Sequence, residues 1–423
     1  MSKREFNKKV VVGKFVLILL LGIALGVSCL FSKPIEKFLG IGDKEGNFVS
    51  DGVIKQDDLT IHYIDVGQGD CTLICLPDDK VMMIDAAEAS EADTIIEYVQ
   101  NLGITTIDYF VVTHSDSDHS GGAYSILKTF NVNKIYRPFQ IAKDKDTNTI
   151  VDDLGVYNTL YSDVSIVSTD TYCGFINAVY DEHDEIGAEV WVSYDGLTIE
   201  STNADVFTFT FYAPLVRSGD PSIETKTAKT KGFPTKYYSD NNDNSPVMLL
   251  EYKTHTFMFS GDATATVESD FVNSLEEEEK TKFEDVDVFK AAHHGSNTSN
   301  TEKLLDLITP NYIVVSSGNE YGHPHEEILE RFDSYQHDAS DYLLRTDTVG
   351  NIIFGYNQEG SLCYTAIQSG VGGKTIYWWY IAVGIFVCLT IVILMVKVTK
   401  NVGATAKRAV STSSKVYKRM KKR

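Results

Sequence analysis

Residues 109–122 read Tyr-Phe-Val-Val-Thr-His-Ser-Asp-Ser-Asp-His-Ser-Gly-Gly, and they indicate a strand that ends in a cluster of metal-binding side chains. The apolar beginning of this stretch, with two valines, predicts a buried strand. Because alternate residues of an extended segment point to a common side, the loop after the strand can present several ligands together. Four candidates fall within six residues: His114, Asp116, Asp118 and His119.

Three interpretations of this loop compete. Imidazole nitrogen together with carboxylate oxygen suits a borderline divalent cation such as zinc, and manganese is the second candidate. A solvated Ser/Asp turn is the usual role of such a run, but a turn does not need two histidines. A calcium loop would have a glutamate twelve positions along, where Ser125 stands when the count starts at His114. The side-chain chemistry therefore favours a transition-metal site.

The pattern from His114 to Gly122 resembles the metal motif of the metallo-beta-lactamase superfamily, in the variant with aspartate at the second ligand position. Within it, the chain is most similar to the extracytoplasmic hydrolase domain of the ComEC family of DNA-uptake competence proteins. The resemblance covers residues 59–140 and 205–366 and implies an α/β fold, the four-layer αβ/βα sandwich. Five further segments match in order: Tyr63–Asp70, Met83–Asp85, Phe259–Asp262, Ala292–Ser296 and Tyr321–Pro324.

The resemblance also implies a dinuclear centre with two divalent ions. Either His293 or His294 would complete the second site, and the other histidine of this pair would contact or protonate the substrate. Asp85 would accept the remaining ring proton of a ligand imidazole, while Asp65 and Asp70 would stabilise the first turn. The other implied ligands are His114 and Asp116 for the first ion, Asp118 and His119 for the second, and Asp262 for both.

The implied reaction is hydrolysis by a metal-bound hydroxide, most simply of a phosphodiester bond. Asp118 is predicted to be catalytic as well as a ligand, and His323, ahead of His325, would donate a proton to the leaving group. One feature departs from the family pattern: many members supply a further histidine from the segment before a hairpin, whereas residues 241–244 here are Asn-Asn-Asp-Asn. This leaves open whether one or two ions are bound.

Two uncharged apolar runs predict one transmembrane helix near each end of the chain, at residues 15–31 and 376–396. Basic residues precede the first run and follow the second, so the positive-inside rule places both termini in the cytoplasm. The domain between them would then be extracytoplasmic. A cleaved signal peptide, or lipid modification at Cys29, are alternatives for the first run.

The chain therefore divides by sequence into five segments, and the central domain carries a predicted insertion at about 141–204, interpreted as a lid or substrate platform. The segments are a cytoplasmic tail and anchor (1–32), a linker (33–58), the extracytoplasmic metallo-beta-lactamase-fold domain (59–373), a second transmembrane helix (374–397) and a basic cytoplasmic tail (398–423).

The charge is distributed unevenly. The 423-residue chain has a formal net charge of -21, and residues 43–373 contain 20 basic and 57 acidic residues, a net charge near -37. Nucleic-acid grooves usually present a basic stripe, so this charge disfavours nucleic acid as substrate. It suits a small phosphodiester or a zwitterionic polymer, such as choline-decorated wall polymer, while the basic tail would bind anionic lipid.

Two other functions remain open from the sequence. The central domain could be a non-catalytic metal-binding sensor or scaffold, in which case metal would bind without ester turnover. Hydrolysis of a lactam is a third interpretation, which is weaker because drug-hydrolysing relatives commonly have histidine where Asp116 stands.

Overall fold

A computed structural model describes residues 49–50, 58–151, 165–202, 207–214, 230–231, 238, 240–318, 320–335, 342–367, 410–412 and 414. The chain separates into two compact units, residues 1–372 and 373–423. All the sheets lie in the first unit, and the described residues of the second are helical.

The strands of the described ranges form three sheets. In chain order they are β1 (Val49–Ser50), β2 (Thr60–Tyr63), β3 (Thr72–Cys75), β4 (Val81–Ile84), β5 (Thr106–Val111), β6 (Asn131–Arg137), β7 (Ile141–Ala142), β8 (Ile166–Val167), β9 (Glu189–Val192), β10 (Thr198–Glu200), β11 (Phe207–Phe211), β12 (Thr230–Lys231), β13 (Met248–Tyr252), β14 (His255–Phe259), β15 (Val288–Lys290), β16 (Tyr312–Val315), β17 (Leu343–Arg345), β18 (Asn351–Tyr356) and β19 (Leu362–Ile367). A ten-stranded sheet has the order β1-β19-β18-β2-β3-β4-β5-β6-β9-β12, a seven-stranded sheet has the order β10-β11-β13-β14-β15-β16-β17, and β7 pairs with β8.

Helices cover the outer faces of both large sheets. The helices of the described ranges are α1 (Ala92–Asn101), α2 (Ser117–Ser120), α3 (Ala123–Thr129), α4 (Asp170–Ile186), α5 (Ala265–Ser274), α6 (Glu277–Lys280), α7 (Glu302–Ile308), α8 (Glu326–Ser334) and α9 (Thr346–Val349). Short 3₁₀ segments lie at Ala89–Glu91, Asn242–Asn244, Ala292–Gly295 and Glu320–Gly322.

Strand β5 shows how the layers are built. Tyr109 and Val111 belong to an apolar cluster with side chains from both sheets, whereas Phe110 and Val112 pack with residues of α1, α3 and α4. The second half of β5, Tyr109–Val111, is buried and continuously apolar, as strands between two covering layers usually are. A third cluster packs α5, α7 and α8 on the second sheet. The predicted four-layer αβ/βα sandwich is confirmed.

Part of the range predicted to be an insertion belongs to this sandwich. Helix α4 buries Phe175, Ile176 and Val179 completely against the ten-stranded sheet. Strand β9 then pairs in parallel with β6, inside that sheet. Residues 170–192 are therefore core elements, which corrects the interpretation of the whole of 141–204 as a lid or platform. Likewise β1, within the predicted linker 33–58, pairs with β19.

The membrane predictions fall largely outside the described residues. The two apolar runs, 15–31 and 376–396, are not among the described ranges, and of the basic tail only 410–412 and 414 are. Among the helices that the structure does describe, none is long and apolar enough to span a bilayer.

Candidate metal centre

The predicted site residues follow five strands, β4, β5, β14, β15 and β16, whose ends meet at one edge of the sandwich. Strands β4, β5 and β6 run in parallel in the first sheet, and β14, β15 and β16 run in parallel in the second. Loops at the carboxyl ends of parallel strands lie at one edge of a sheet, where a rigid scaffold holds functional side chains. These loops surround a cleft of about 660 Å³. Its lining includes Asp116, Asp118, Asp262, His293, His294 and His323.

Three buried imidazoles are oriented by hydrogen bonds through their Nδ1 atoms. His119 Nδ1 lies 2.8 Å from Asp85 Oδ2, and His294 Nδ1 lies 3.0 Å from the carbonyl oxygen of Ser316. The Thr113 hydroxyl donates to Asp85, so its oxygen is left to accept from His114 Nδ1 at 3.1 Å. In the neutral tautomer that these acceptors select, each Nε2 carries a lone pair that faces away from them, as a metal-ligating histidine requires.

The Nε2 atoms face carboxylate oxygens at distances that require a positive charge between them. His119 Nε2 lies 3.0 Å from Asp262 Oδ1 and 3.2 Å from His294 Nε2. His294 Nε2 lies 3.3 Å from Asp118 Oδ2. Lone pairs so close repel each other unless a proton or a metal ion lies between them. His114 Nε2 is buried and has no hydrogen-bond partner among the residues that the structure describes. Because the donors are imidazole nitrogen and carboxylate oxygen, the residues fit a divalent transition metal.

Neighbouring carboxylates raise the pKa values of two of these imidazoles. Burial lowers the pKa of His294, but the carboxylates of Asp262 and Asp70 outweigh burial and raise it to about 10. For the same reasons, burial opposes but Asp262 and Asp85 raise the pKa of His119 well above its usual value. Burial raises the pKa of Asp118, but the bond to His294 and the charge of His119 bring it down to about 2. Protonated His119 and His294 must therefore lose protons before they can bind metal.

The structure distinguishes between the two adjacent histidines. His294 is 1% exposed, and its Nε2 faces Asp118 and Asp262. The His293 side chain is 19% exposed, and its Nδ1 contacts Thr298 Oγ1 at 2.9 Å. Its Nε2 lies 3.6 Å from Asp262 Oδ2, at the open side of the cluster. His294 is therefore placed among the buried donors, and His293 is placed at the rim of the cleft.

The ligand loop after β5 is held in place by Asp85, Ser245 and Asn241. Asp85 accepts hydrogen bonds from the Thr113 backbone N–H and hydroxyl, both at 2.8 Å, in addition to its contact with His119. Ser245 Oγ lies 3.2 Å from His114 Nδ1 and accepts from the Asp262 N–H at 3.1 Å. Asn241 Nδ2 donates to Asp116 Oδ1 at 2.7 Å. Residues 241–245 thus contact the site through an amide and a hydroxyl.

His114 and Asp116 lie farther apart than the buried group around His119. His114 Nε2 is 3.8 Å from Asp116 Oδ2 and 3.9 Å from Asp262 Oδ2. Burial, with the positive charge of His119, lowers the pKa of His114 to about 4, so this imidazole is neutral at pH 7. The Asp116 side chain is 41% exposed. The loop brings both residues to the cluster, with Asp116 on the solvent side.

His323 lines the same cleft, beside His293 and His325. Its ring centroid is 5.4 Å from that of His293 and 4.8 Å from that of His325. Burial and the neighbouring imidazoles lower the pKa of His323 to about 4, so it is neutral at pH 7. The low pKa makes His323 a hydrogen-bonding group rather than a cation at neutral pH.

Lys290 and Asp70 were not recognised from the sequence as parts of the site. Lys290 Nζ donates to Asp70 Oδ2 at 2.9 Å, and both residues are buried. Asp70 groups with His119, Asp262 and His294, with one ligand-type atom from each within 4.8 Å of the others. The sequence signals are a single lysine in the apolar strand before the two histidines and the place of Asp70 at the end of the Tyr63–Asp70 segment.

Comparison with known proteins places the chain in a family. The family model described as the metallo-beta-lactamase superfamily matches residues 64–318. Recombination protein 2 of Haemophilus influenzae is 25% identical over 283 residues, covering 65% of this chain and 26% of that protein. ComE operon protein 3 of Bacillus subtilis is 23% identical over 322 residues, covering 71% of this chain and 33% of that protein.

A shorter match is closer in sequence. Competence protein ComA of Neisseria gonorrhoeae is 40% identical over 75 residues, covering 17% of this chain and 10% of that protein. The resemblance to competence proteins inferred from the motifs is thus confirmed. This chain matches only a third or less of the length of each of these three relatives.

Proposed function

Since this chain belongs to the metallo-beta-lactamase superfamily, we propose that it is a metal-dependent hydrolase that cleaves phosphodiester bonds. One observation carries the proposal. Beneath an open cleft, His119 Nε2 lies 3.0 Å and His294 Nε2 lies 3.7 Å from oxygens of the Asp262 carboxylate. Apolar side chains would pack this space better than a buried cluster of histidines and carboxylates, so packing does not explain the cluster.

Two groups of residues would hold the ions. His119, Asp118 and His294 surround one position, and His114 with Asp116 borders another. Asp262 lies between the two groups, because its two oxygens face different imidazoles. When bound, divalent ions supply an acidified water and positive charge for the phosphoryl oxygens. We propose zinc, with manganese as the second candidate.

The residues of the chain would orient the substrate and handle its protons. Asp118 and Asp116 border the open side of the cluster, where a phosphate would lie. His293 and His323 line the cleft above it. A neutral imidazole at the rim can donate a hydrogen bond to the oxygen of a departing group and so stabilise its developing charge. We therefore assign His323, together with His293, to the leaving-group side.

The charge of the cleft bears on the substrate. Its described lining contains Glu88, Asp116, Asp118 and Asp262, and no lysine or arginine. A polyanion would depend on metal alone for its attraction to such a surface. The acidic lining therefore supports a small phosphodiester, or a zwitterionic polymer such as choline-decorated wall polymer, as the substrate. Single-stranded nucleic acid is the other candidate substrate, because the motifs resemble those of the DNA-uptake competence family.

We further propose that the hydrolase domain is anchored outside the cytoplasm. The support is the pair of apolar runs at residues 15–31 and 376–396 with basic residues on their outer sides. In this arrangement the basic residues after 396 lie near the anionic inner leaflet, which attracts lysine and arginine.

The test is hydrolysis of bis(p-nitrophenyl) phosphate by the purified full chain loaded with zinc or manganese. Asp118→Asn keeps the size of the side chain and removes its charge, so we expect loss of turnover by at least about 100-fold with an unchanged circular dichroism spectrum. The exposed Asp181→Asn is the matched control and should retain full activity. Equal turnover in wild type and Asp118→Asn would contradict the proposal. Metal binding without turnover of any phosphodiester would instead support a sensor or scaffold.

A further inference from the structure

Lys290 is a buried cation that none of the roles above requires. It ends strand β15 and is 2% exposed, although lysine is almost never fully buried unless it is paired. Its partner is Asp70, at the beginning of the segment that leads into β3. Removing two charges from water costs more than their attraction commonly returns, and apolar side chains of similar volume are often equally stable. The pair therefore calls for an explanation other than stability.

The pair touches the turn that carries the two histidines. Besides Asp70, Lys290 Nζ donates to the carbonyl oxygen of Ala291 at 3.0 Å. Two residues later the backbone becomes left-handed twice in succession, with φ of 50° at His293 and 52° at His294. Residues with a side chain rarely adopt this conformation, and they keep it only where the surroundings hold it in place. Lys290 supplies such a restraint at the base of the turn.

Asp70 contacts the same turn from behind the His294 ring. Its Oδ1 lies 3.5 Å from His294 Nδ1 and has no hydrogen-bond partner in the described part of the chain. That ring nitrogen is on the side opposite Nε2, which faces Asp118 and Asp262. In this geometry Asp70 Oδ1 contacts the ring from the side of Nδ1, and Asp70 Oδ2 accepts from Lys290. A carboxylate in this place acts together with the Ser316 carbonyl oxygen, 3.0 Å from His294 Nδ1, to fix the rotation of the imidazole.

Asp70 also holds the loop that carries the other ligands. Its backbone N–H donates to the carbonyl oxygen of Asp118 at 3.0 Å, and its carbonyl accepts from the Ala87 N–H at 2.9 Å. One residue thus contacts the ligand loop after β5, the segment after Asp85, and the histidine turn after β15.

We propose that the Asp70–Lys290 pair is a positioning device that holds the His293–His294 turn and directs His294 Nε2 toward the metal position. The inference rests on the proposed function only in taking His294 to be a metal ligand. It assigns to two residues from opposite sheets a role in metal binding that is separate from their role in folding.

The test separates these roles with Asp70→Asn, Lys290→Met and the double variant, each in the full chain. Either single change leaves a buried charge or dipole without its partner, so we expect lower melting temperatures and weaker metal binding. The double variant removes both charges and should recover most of the lost stability. It should still bind Co²⁺ about 10- to 100-fold more weakly than wild type in chelator competition, with an altered visible spectrum of the bound ion.

Other outcomes are equally decisive. A double variant with wild-type Co²⁺ affinity and spectrum would overturn the positioning role. If the double variant does not fold, Asp70→Glu decides on the same readouts, because it keeps the charge while moving the oxygens relative to His294; unchanged binding would then overturn the inference. Lys80→Met is the control, since Lys80 pairs with Asp108 near the opposite ends of the strands. Failure of the wild type to bind metal would contradict the proposed function itself.

Discussion

Asp85 forms three hydrogen bonds, more than any other described carboxylate that orients a candidate ligand. All three bonds help to fix the position of His119. Two bonds from Thr113 fix the carboxylate, which in turn contacts His119 Nδ1 at 2.8 Å. In Asp85→Asn, the amide cannot accept all three hydrogen bonds, so the imidazole loses its fixed orientation. We expect metal affinity to fall about 10- to 100-fold, measured by competition with a chromophoric chelator. The exposed Asp93→Asn should bind metal as wild type does, and equal affinities in all three proteins would contradict this role.

The pH dependence of metal binding follows from the raised pKa values of two ligands. His294, with a pKa of about 10, and His119 carry protons at pH 7 in the metal-free protein. Metal must displace these protons, so apparent affinity should rise with pH and fall as the solution becomes acidic. Calorimetric titration at pH 7 in buffers of different ionisation enthalpy should show proton release on binding. Buffer-independent heats would show that these imidazoles are already neutral.

At the level of single residues, the sequence predicts the candidate ligands that the structure brings together, and Asp85 beside them, but not the other groups that contact them. His114, Asp118 and His119 form one contiguous motif, and each of the other predicted ligands follows an apolar strand. Asp70 and Lys290 are 220 positions apart, and only the packing of the two sheets brings them together. The same holds for Asn241, which meets Asp116 across 125 positions.

The turn between β2 and β3 supports the ligand loop through close backbone contact. Gly69 has φ of +127°, and a Cβ atom there would lie 2.5 Å from the carbonyl oxygen of Asp118. Gly67 also has positive φ, +68°, but a Cβ atom there would meet nothing within 4 Å. Both substitutions by alanine strain the backbone, whereas only that at Gly69 also displaces the ligand loop.

We therefore expect Gly69→Ala to weaken metal binding by at least about tenfold and to lower the melting temperature. Gly67→Ala should lower the melting temperature by a smaller amount and leave metal binding intact. The measurements are chelator competition and thermal denaturation of the full chain. Equal metal affinity in the two variants would show that the contact with Asp118 does not position the loop.

Among the elements, the strands that carry the site were predictable and α4 was not. Strand β5 is a compact apolar run that ends abruptly at polar residues, so local sequence is sufficient. The region of α4 is rich in Asp, Thr and Tyr, and this polar composition suggested an insertion. Its buried stripe, which includes Tyr172, Phe175 and Val179, contains enough apolar area to cover β6 and β9. Packing against the sheet, rather than composition, decided its place.

In the whole molecule, the site exists only where the two halves of the sandwich meet. Asp85, His114 and His119 follow strands of the first sheet, whereas Asp262 and His294 follow strands of the second. No half contains the complete cluster, so the donors assemble only in the folded domain. Metal that binds this cluster must therefore stabilise the folded state, by about 2.7 kcal/mol when free metal is 100 times its dissociation constant.

If this shared cluster binds divalent ions and thereby hydrolyses a phosphodiester, turnover must follow the amount of bound metal. The most direct measurement adds zinc or manganese stepwise to the metal-free full chain while bound metal and turnover of bis(p-nitrophenyl) phosphate are recorded together. We predict no turnover before addition, a rise that follows occupancy, and no such rise in Asp262→Asn. Turnover that is independent of bound metal, or full occupancy without turnover of any phosphodiester, would contradict the claim.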